Sequence, residues 1–382
     1  MKLSILFFLK SLQRLLILLI FIVSFYPLNY EEFGINYFFF LVPLFHIFLE
    51  KKIYSISLYL KIFILYLFII FFSFSFFRIY LNEYNNLYRQ FLSFLSYCTI
   101  FSFIFYKFSE KSLQMFQLSI IIAALLISFT IINKFFIFYP EALIRDGGQR
   151  VSFFLVFTTL LLTFDKSVIQ KKSTKFLIIF IIIIAVVLLQ SRAAYFSLFL
   201  TILLSLILRD LRINIKFIVI FLLIGFILYK NNNIYYIYAN NFLIDLLSFN
   251  FFEVEVIDSS EAIRLERFLY ILNFEEKLLF SNGFLGIWNI NDNYGSTHSQ
   301  YTDVLLRIGI IGFAFYIFII FSILSFLKKI NKGYFYAFLS ILFFSLFHET
   351  FKEPQGAFIL SFLFGYMIYK KRNIKTNFKK NG

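Results

Sequence analysis

One of the three histidines in this chain stands where an imidazole could act on a hydroxyl group. His298 lies in the segment Gly295–Gln300 (GSTHSQ), between a polar stretch and a long apolar run. An imidazole with an ordinary pKa near about 6.5 can accept a proton at neutral pH. His298 is therefore a candidate catalytic residue. The alternative for a lone histidine at such a boundary is a hydrogen-bonded structural residue.

Three arginines are candidates for a phosphate site. Arg192 stands in a very short gap between two apolar runs, and Arg264 and Arg267, three residues apart, share one face of a predicted helix. A guanidinium binds phosphate oxygens through two parallel hydrogen bonds, which suits a diphosphate. The alternatives are a helix-end residue that snorkels at Arg192, and a surface helix whose other two arginines pair with carboxylates or lipid phosphates.

Four further residues are weaker candidates. Arg145 and Arg150 flank the turn at Asp146-Gly147-Gly148, and His348 and Glu349 close an apolar run near the end of the chain.

The sequence has no D-x-D pair, no H-E-x-x-H, no G-x-x-x-x-G-K-[ST] and no G-x-S-x-G. We therefore predict chemistry without a metal, a nucleotide or any other cofactor.

The composition predicts the elements that must position these residues. Hydrophobic residues make up 61% of the 382 residues, and they form many continuous runs of the length that crosses a bilayer as a helix. Within a bilayer every backbone polar group must be paired, which continuous apolar runs achieve as helices. The net charge of +15 comes from lysines and arginines in the gaps between runs. This pattern is typical of membrane topology and lipid headgroups, not of nucleic-acid binding.

We predict an all-α bundle of about twelve transmembrane helices that forms a single integral membrane domain over residues 1–382, with both termini cytoplasmic. Lysines and arginines are concentrated in the alternate gaps that this topology places inside. The sixth apolar run is short, and if it did not cross the membrane, the predicted orientation of every later span would be reversed. The predicted spans are 4–26, 33–49, 53–77, 90–107, 113–139, 151–164, 175–190, 193–208, 213–229, 300–327, 334–348 and 356–369.

One long loop, residues 230–298, separates the ninth and tenth spans and lies outside the cytoplasm in this topology. It is rich in Asn, Asp, Glu, Ser and Gly, and a loop of this length is usually functional. Asp258-Ser259-Ser260-Glu261 resembles a capping box and predicts the start of a helix that carries Arg264 and Arg267. We predict that this loop carries part of the active site.

The residues around this loop resemble the O-antigen ligase and O-antigen polymerase family of bacterial envelope glycosyltransferases. Two departures are Ser299, where the family more commonly has asparagine, and Trp288, which falls later than the usual loop tryptophan. The matching pieces cover residues 190–315 in the family's order: Ser191–Ala194, Arg264 and Arg267, Ser281–Gly286, and Thr297–Tyr301 followed by Gly309 and Gly312.

The resemblance implies transfer of a glycan from undecaprenyl diphosphate to a hydroxyl of the lipid A core, on the periplasmic side of the bacterial inner membrane. In that reaction His298 would be the base, and Arg192, Arg264 and Arg267 would neutralise the leaving diphosphate. The expected partners are the lipid-linked glycan, the lipid or glycan acceptor and membrane lipids. We expect inversion at the anomeric carbon, because no nucleophilic carboxylate stands out.

Three alternatives remain open at this stage. An O-antigen polymerase would differ from a ligase in using another repeat unit as the acceptor. A lipid-linked glycan flippase or transporter would instead place charged residues in a central cavity, and charges inside the predicted spans are few, with Lys61 the clearest. A structural membrane protein would not depend on His298.

Overall fold

A computed structural model describes residues 110–138, 148–165, 169–189, 191–208, 297–352 and 354–378, with the isolated positions 7, 8, 11, 12, 15, 103, 108, 210 and 286. The regular structure of this part is helical, which confirms the all-α prediction for these residues. The helices are α1 (Glu110–Phe138), α2 (Gly148–Phe164), α3 (Lys172–Leu188), α4 (Arg192–Ile207), α5 (Gln300–Ile330), α6 (Lys332–Phe344) and α7 (Pro354–Phe378), with a 3₁₀ turn at Thr350–Lys352 before α7.

These helices correspond to the fifth to eighth and the tenth to twelfth predicted spans. The short sixth span exists as helix α2. The other five spans, 4–26, 33–49, 53–77, 90–107 and 213–229, lie outside the described residues except for isolated positions, and so does nearly all of the 230–298 loop. The total of twelve helices therefore stays a prediction.

Two helices in the described part are long and apolar enough to cross a membrane. They are the stretch Leu113–Asn133 within α1, and α5 over Gln300–Ile330. Shorter apolar helices run over Val151–Phe164, Ala193–Ile207 and Lys332–Phe344. Length and composition thus favour a membrane protein.

Helices α2 and α6 pack antiparallel. The ring of Phe164, at the end of α2, stacks on Tyr336 near the start of α6 with centroids 4.3 Å apart. Phe153, near the start of α2, contacts Phe344 at the end of α6, with centroids 5.7 Å apart. The start of each helix thus lies beside the end of the other, and these two places define the two ends of the described bundle.

One end of the bundle is organised by the buried carboxylate of Asp165, and we call it the Asp165 end. The amide of Asn331 donates to Asp165 Oδ2 at 2.8 Å, and the amide of Gln117 approaches the same oxygen at 3.4 Å. Asn331 also begins α6, because its side-chain oxygen accepts the backbone N–H of Tyr334 at 3.1 Å. These contacts join α1, α2 and the α5–α6 turn.

Helix α5 breaks at Gly309. Its backbone there has φ 67° and ψ 177°, a conformation that is almost restricted to glycine. The sequence predicts one continuous span in which Gly309 and Gly312 admit a neighbouring helix. Instead, Gly309 provides the break, and a methyl group at Gly312 would meet the side chain of Ile308 in the same helix at 2.8 Å.

Contacts divide the chain into one compact unit, Met1–Thr201 with Phe274–Gly382, and a second unit, Ile202–Asn273. All the site residues described below whose side chains are placed belong to the first unit.

Candidate functional site

The segment Thr297–Gln300 enters α5 at the end opposite Asp165, which we call the His298 end. Its backbone is bonded to the turn that follows α6. The N–H and the hydroxyl of Thr297 each lie 2.8 Å from Glu349 Oε1. Gln300 donates its N–H to the carbonyl of Ser345 at 3.0 Å, and its side-chain oxygen accepts the N–H of Phe351 at 2.7 Å. Two backbone and two side-chain hydrogen bonds therefore hold Thr297 and Gln300, on either side of His298.

His298 itself has a left-handed backbone. Its φ is 57°, and no other non-glycine residue in the described part has a positive φ. Such a conformation in a residue with a side chain costs of order 1–3 kcal/mol and persists only where the surroundings impose it. Here the bonds of Thr297 and Gln300 impose it, and the imidazole is partly exposed.

Four charged side chains form a network directly behind this segment. Arg307 Nε donates to Asp303 Oδ2 at 2.8 Å, one turn apart on α5, and both side chains are at most 1% exposed. Lys352 Nζ lies 3.6 Å from Asp303 Oδ1 and 2.6 Å from Glu349 Oε2. Two carboxylates face two cations, so the buried charges balance within the cluster.

Glu349 is the link between this network and the His298 segment. Burial alone would raise the pKa of its carboxyl. The ammonium of Lys352, through charge and a hydrogen bond, the hydroxyl of Thr297 and the charge of Arg307 outweigh burial and lower that pKa from 4.5 to about 2. Glu349 is therefore a carboxylate at neutral pH, and it acts as a hydrogen-bond acceptor for Thr297.

The start of α4 lies at the same end. The hydroxyl of Ser152 in α2 donates to that of Ser191 at 3.0 Å, and Phe196 of α4 meets Phe347 edge to face at 5.2 Å. Arg192 is the first residue of α4, immediately after Ser191.

The remaining predicted site residues have different outcomes. Arg150 belongs to the first turn of α2, also at the His298 end. The imidazole of His348 stacks on the ring of Phe344 at 4.7 Å, which fixes it against the end of α6. Arg145, Arg264 and Arg267 lie outside the described residues, so their predicted roles stay predictions.

Sequence reasoning missed Asp303, Arg307 and Lys352 as site residues. The spacing of Asp303 and Arg307, four apart inside an apolar run, is the available signal, because two buried charges on one helix face must pair. Lys352 stands three residues after Glu349, its closer partner, so its spacing is a similar signal, whereas its contact with Asp303 joins residues far apart in sequence. Among the described residues, no three side chains are grouped as ligands for a metal ion.

No protein-family model matches this chain, and no curated protein matches it.

Proposed function

We propose that this protein is a polytopic membrane glycosyltransferase of the O-antigen ligase type. It moves a glycan from undecaprenyl diphosphate to a hydroxyl of the lipid A core on the periplasmic side of the bacterial inner membrane. In this proposal the chain crosses the membrane about twelve times and has both termini in the cytoplasm. The loop 230–298 carries part of the active site.

The observation that carries the proposal is the meeting of three predicted site segments at one end of the bundle. The His298 segment, the start of α4 at Arg192 and the His348–Glu349 turn come from distant parts of the sequence. They share the His298 end through the contacts of Gln300 with Ser345 and of Phe196 with Phe347. The imposed backbone of His298 supports a functional role for this residue in particular.

The proposed reaction needs one base and cations for one leaving group. His298 accepts the proton of the acceptor hydroxyl while that oxygen attacks the anomeric carbon. The bond between that carbon and the diphosphate oxygen breaks, and the diphosphate leaves with its charge neutralised by Arg192, Arg264 and Arg267. The attack from the opposite side inverts the anomeric carbon. General-base assistance of this kind contributes about 10²–10⁴ in rate.

A polymerase that adds the glycan to another repeat unit uses the same chemistry and is the nearest alternative. Transport of a lipid-linked glycan is a second candidate, and the buried Asp303–Arg307 pair favours it, since charges inside membrane spans often line a pathway. The two classes differ in whether new glycosidic bonds form.

The test is complementation of a strain that lacks this protein. We expect His298→Ala and Arg192→Ala each to abolish glycan-capped lipid on a gel while undecaprenyl-linked glycan accumulates. Arg192→Lys should restore little, because an ammonium lacks the planar fork of a guanidinium. His46→Ala, in a predicted span, is the matched histidine control and should behave as wild type.

Immunoblots of the membrane fraction show whether each variant accumulates. Normal glycolipid in both alanine variants would refute the transferase proposal and favour transport. A changed ladder of repeat lengths, with capping intact, would favour the polymerase over the ligase.

A further inference from the structure

Gly286 is buried and lies against the flat face of the Arg307 guanidinium. Gly286 has a left-handed backbone with φ 58°. A methyl group on its α-carbon would lie 3.2 Å from Arg307 Cζ and 3.3 Å from both Nε and Nη2. An approach along the guanidinium edge would leave Cζ, which lies behind that edge, farther away than the two nitrogens. The contact is therefore with the face, where a side chain at position 286 would crowd Arg307.

Arg307 is held in place by its neighbours. Asp303 Oδ2 accepts its Nε–H at 2.8 Å, and the other oxygen of that carboxylate lies 3.6 Å from Lys352 Nζ. Arg307 and Asp303 are 1% and 0% exposed. A buried cation that has its carboxylate partner one turn away on the same helix presents its face in a fixed direction.

The same network also holds a second described position of the loop, Thr297. Lys352 pairs with Glu349, and Glu349 accepts both hydrogen bonds from Thr297, the residue immediately before His298. One group of four charges thus contacts Gly286 through Arg307 and Thr297 through Glu349.

We propose that this network is a clamp for two positions of the loop, Gly286 and Thr297. Asp303 and Arg307 are positioning residues within it: they hold Gly286, while Glu349 holds Thr297 and thereby fixes the orientation of the adjoining His298. The effect on glycan transfer rests on the proposed function, whereas the clamping of these two positions does not.

The sole tryptophan of the chain, Trp288, is two residues after Gly286 and serves as the probe. The full-length protein in detergent is titrated with acrylamide, and quenching of the Trp288 fluorescence is measured. We expect Gly286→Ala and the double variant Asp303→Asn/Arg307→Met to raise the quenching constant roughly twofold or more, because Gly286 is then no longer held against Arg307 and the backbone next to it can open locally. The double variant removes both charges together and so leaves no buried cation without its partner.

Gly333→Ala is the matched control. A methyl group there would meet Asp165 Cβ at 2.6 Å at the opposite end of the bundle, so it perturbs packing without touching the clamp. Its Trp288 quenching should equal that of the wild type. Arg307→Lys keeps the charge without the flat face and should fall between the wild type and the double variant.

Glycan transfer by the same variants separates a clamp from a merely structural contact. Loss of positioning should lower kcat at least about tenfold with little change in KM for the donor, since binding groups are intact. Unchanged quenching in Gly286→Ala and in the double variant, with wild-type helix content by circular dichroism, would overturn the clamp. If these variants raise the quenching constant but the wild-type protein transfers no glycan, the clamp is supported and the proposed function is refuted.

Discussion

At the residue scale, the His298 end concentrates opposed charges in a small buried volume. Asp303, Arg307, Glu349 and Lys352 are coupled through contacts of 2.6 to 3.6 Å. Burying each ion alone would be strongly unfavourable, so each side chain depends on the others. The pairing holds α5 against the turn between α6 and α7 and thereby fixes the His298 segment.

The pH dependence of stability should reveal the Glu349 contribution. Its pKa falls from 4.5 to about 2 in the folded chain, so folding favours the carboxylate form. The resulting stability is complete above pH 4.5 and is lost as the pH falls from 4.5 towards 2. We expect Glu349→Gln to unfold at a lower temperature than wild type at pH 7, and the gap to narrow as the pH falls below 4.5 and to close only near pH 2.

Thermal unfolding in detergent, followed by circular dichroism, measures this convergence. Glu110→Gln provides the control, since Glu110 is an exposed carboxylate at the start of α1. The unfolding midpoint of this control should stay close to that of the wild type at every pH. A Glu349→Gln midpoint that stays equally far below wild type at pH 7 and pH 3 would contradict the assigned charge state.

Some residues of the candidate site could be selected from the sequence at this scale. His298, His348 and Glu349 could be selected because residues of these types stand out beside apolar runs. The contact between Glu349 and Thr297 could not be predicted, because nothing in a single sequence relates Thr297 to a carboxylate 52 residues away that the fold brings to 2.8 Å.

At the element scale, helix positions follow from the apolar runs, but helix interiors do not. The fifth predicted span, 113–139, and helix Glu110–Phe138 agree within a few residues. The span 334–348 was predicted too long, since α6 ends at Phe344 and the following residues turn to meet Gln300. Hydrophobicity alone predicts where a helix can exist, whereas its end depends on hydrogen bonds made elsewhere in the fold.

The break in α5 gives a prediction for two neighbouring glycines. Gly309→Ala should lower the free energy of unfolding by about 1–3 kcal/mol, because alanine is strained at φ 67° and ψ 177°. Gly312→Ala should also destabilise the fold, but through packing, since its methyl group would lie 2.8 Å from Ile308 Cβ, an atom that the backbone holds in place. Denaturant titrations of both variants in detergent give the two values. A Gly309→Ala variant as stable as the wild type would mean that the break does not depend on Gly309.

At the scale of the whole molecule, the described helices are ordered by two polar ends around an apolar middle. Phe116 and Phe362, whose ring centroids are 4.6 Å apart, exemplify the aromatic packing between α1 and α7. Helix α3 has 17 residues, or about 26 Å at 1.5 Å per residue, slightly less than a hydrocarbon core of about 30 Å. Lysines at its start extend its reach, because their side chains can snorkel to the interface.

The two polar ends of the bundle should therefore face opposite sides of the membrane. We propose three single-cysteine variants in a Cys98→Ser background, each at an exposed position: Leu346→Cys at the His298 end, and Lys172→Cys and Lys329→Cys at the Asp165 end. In cells whose outer membrane has been made permeable and whose inner membrane is intact, an impermeant maleimide should label Leu346→Cys. The two lysine positions should react only after the inner membrane is opened.

Each pattern of labelling has a distinct physical meaning. Labelling of all three cysteines from the outside would contradict membrane crossing by α5 and α6, since Leu346 and Lys329 lie at their opposite ends. Outside labelling of Lys172→Cys and Lys329→Cys alone would keep the spans and invert the predicted orientation. That inversion would put His298 in the cytoplasm, where a periplasmic acceptor could not reach it, and would refute the proposed transfer reaction along with the topology.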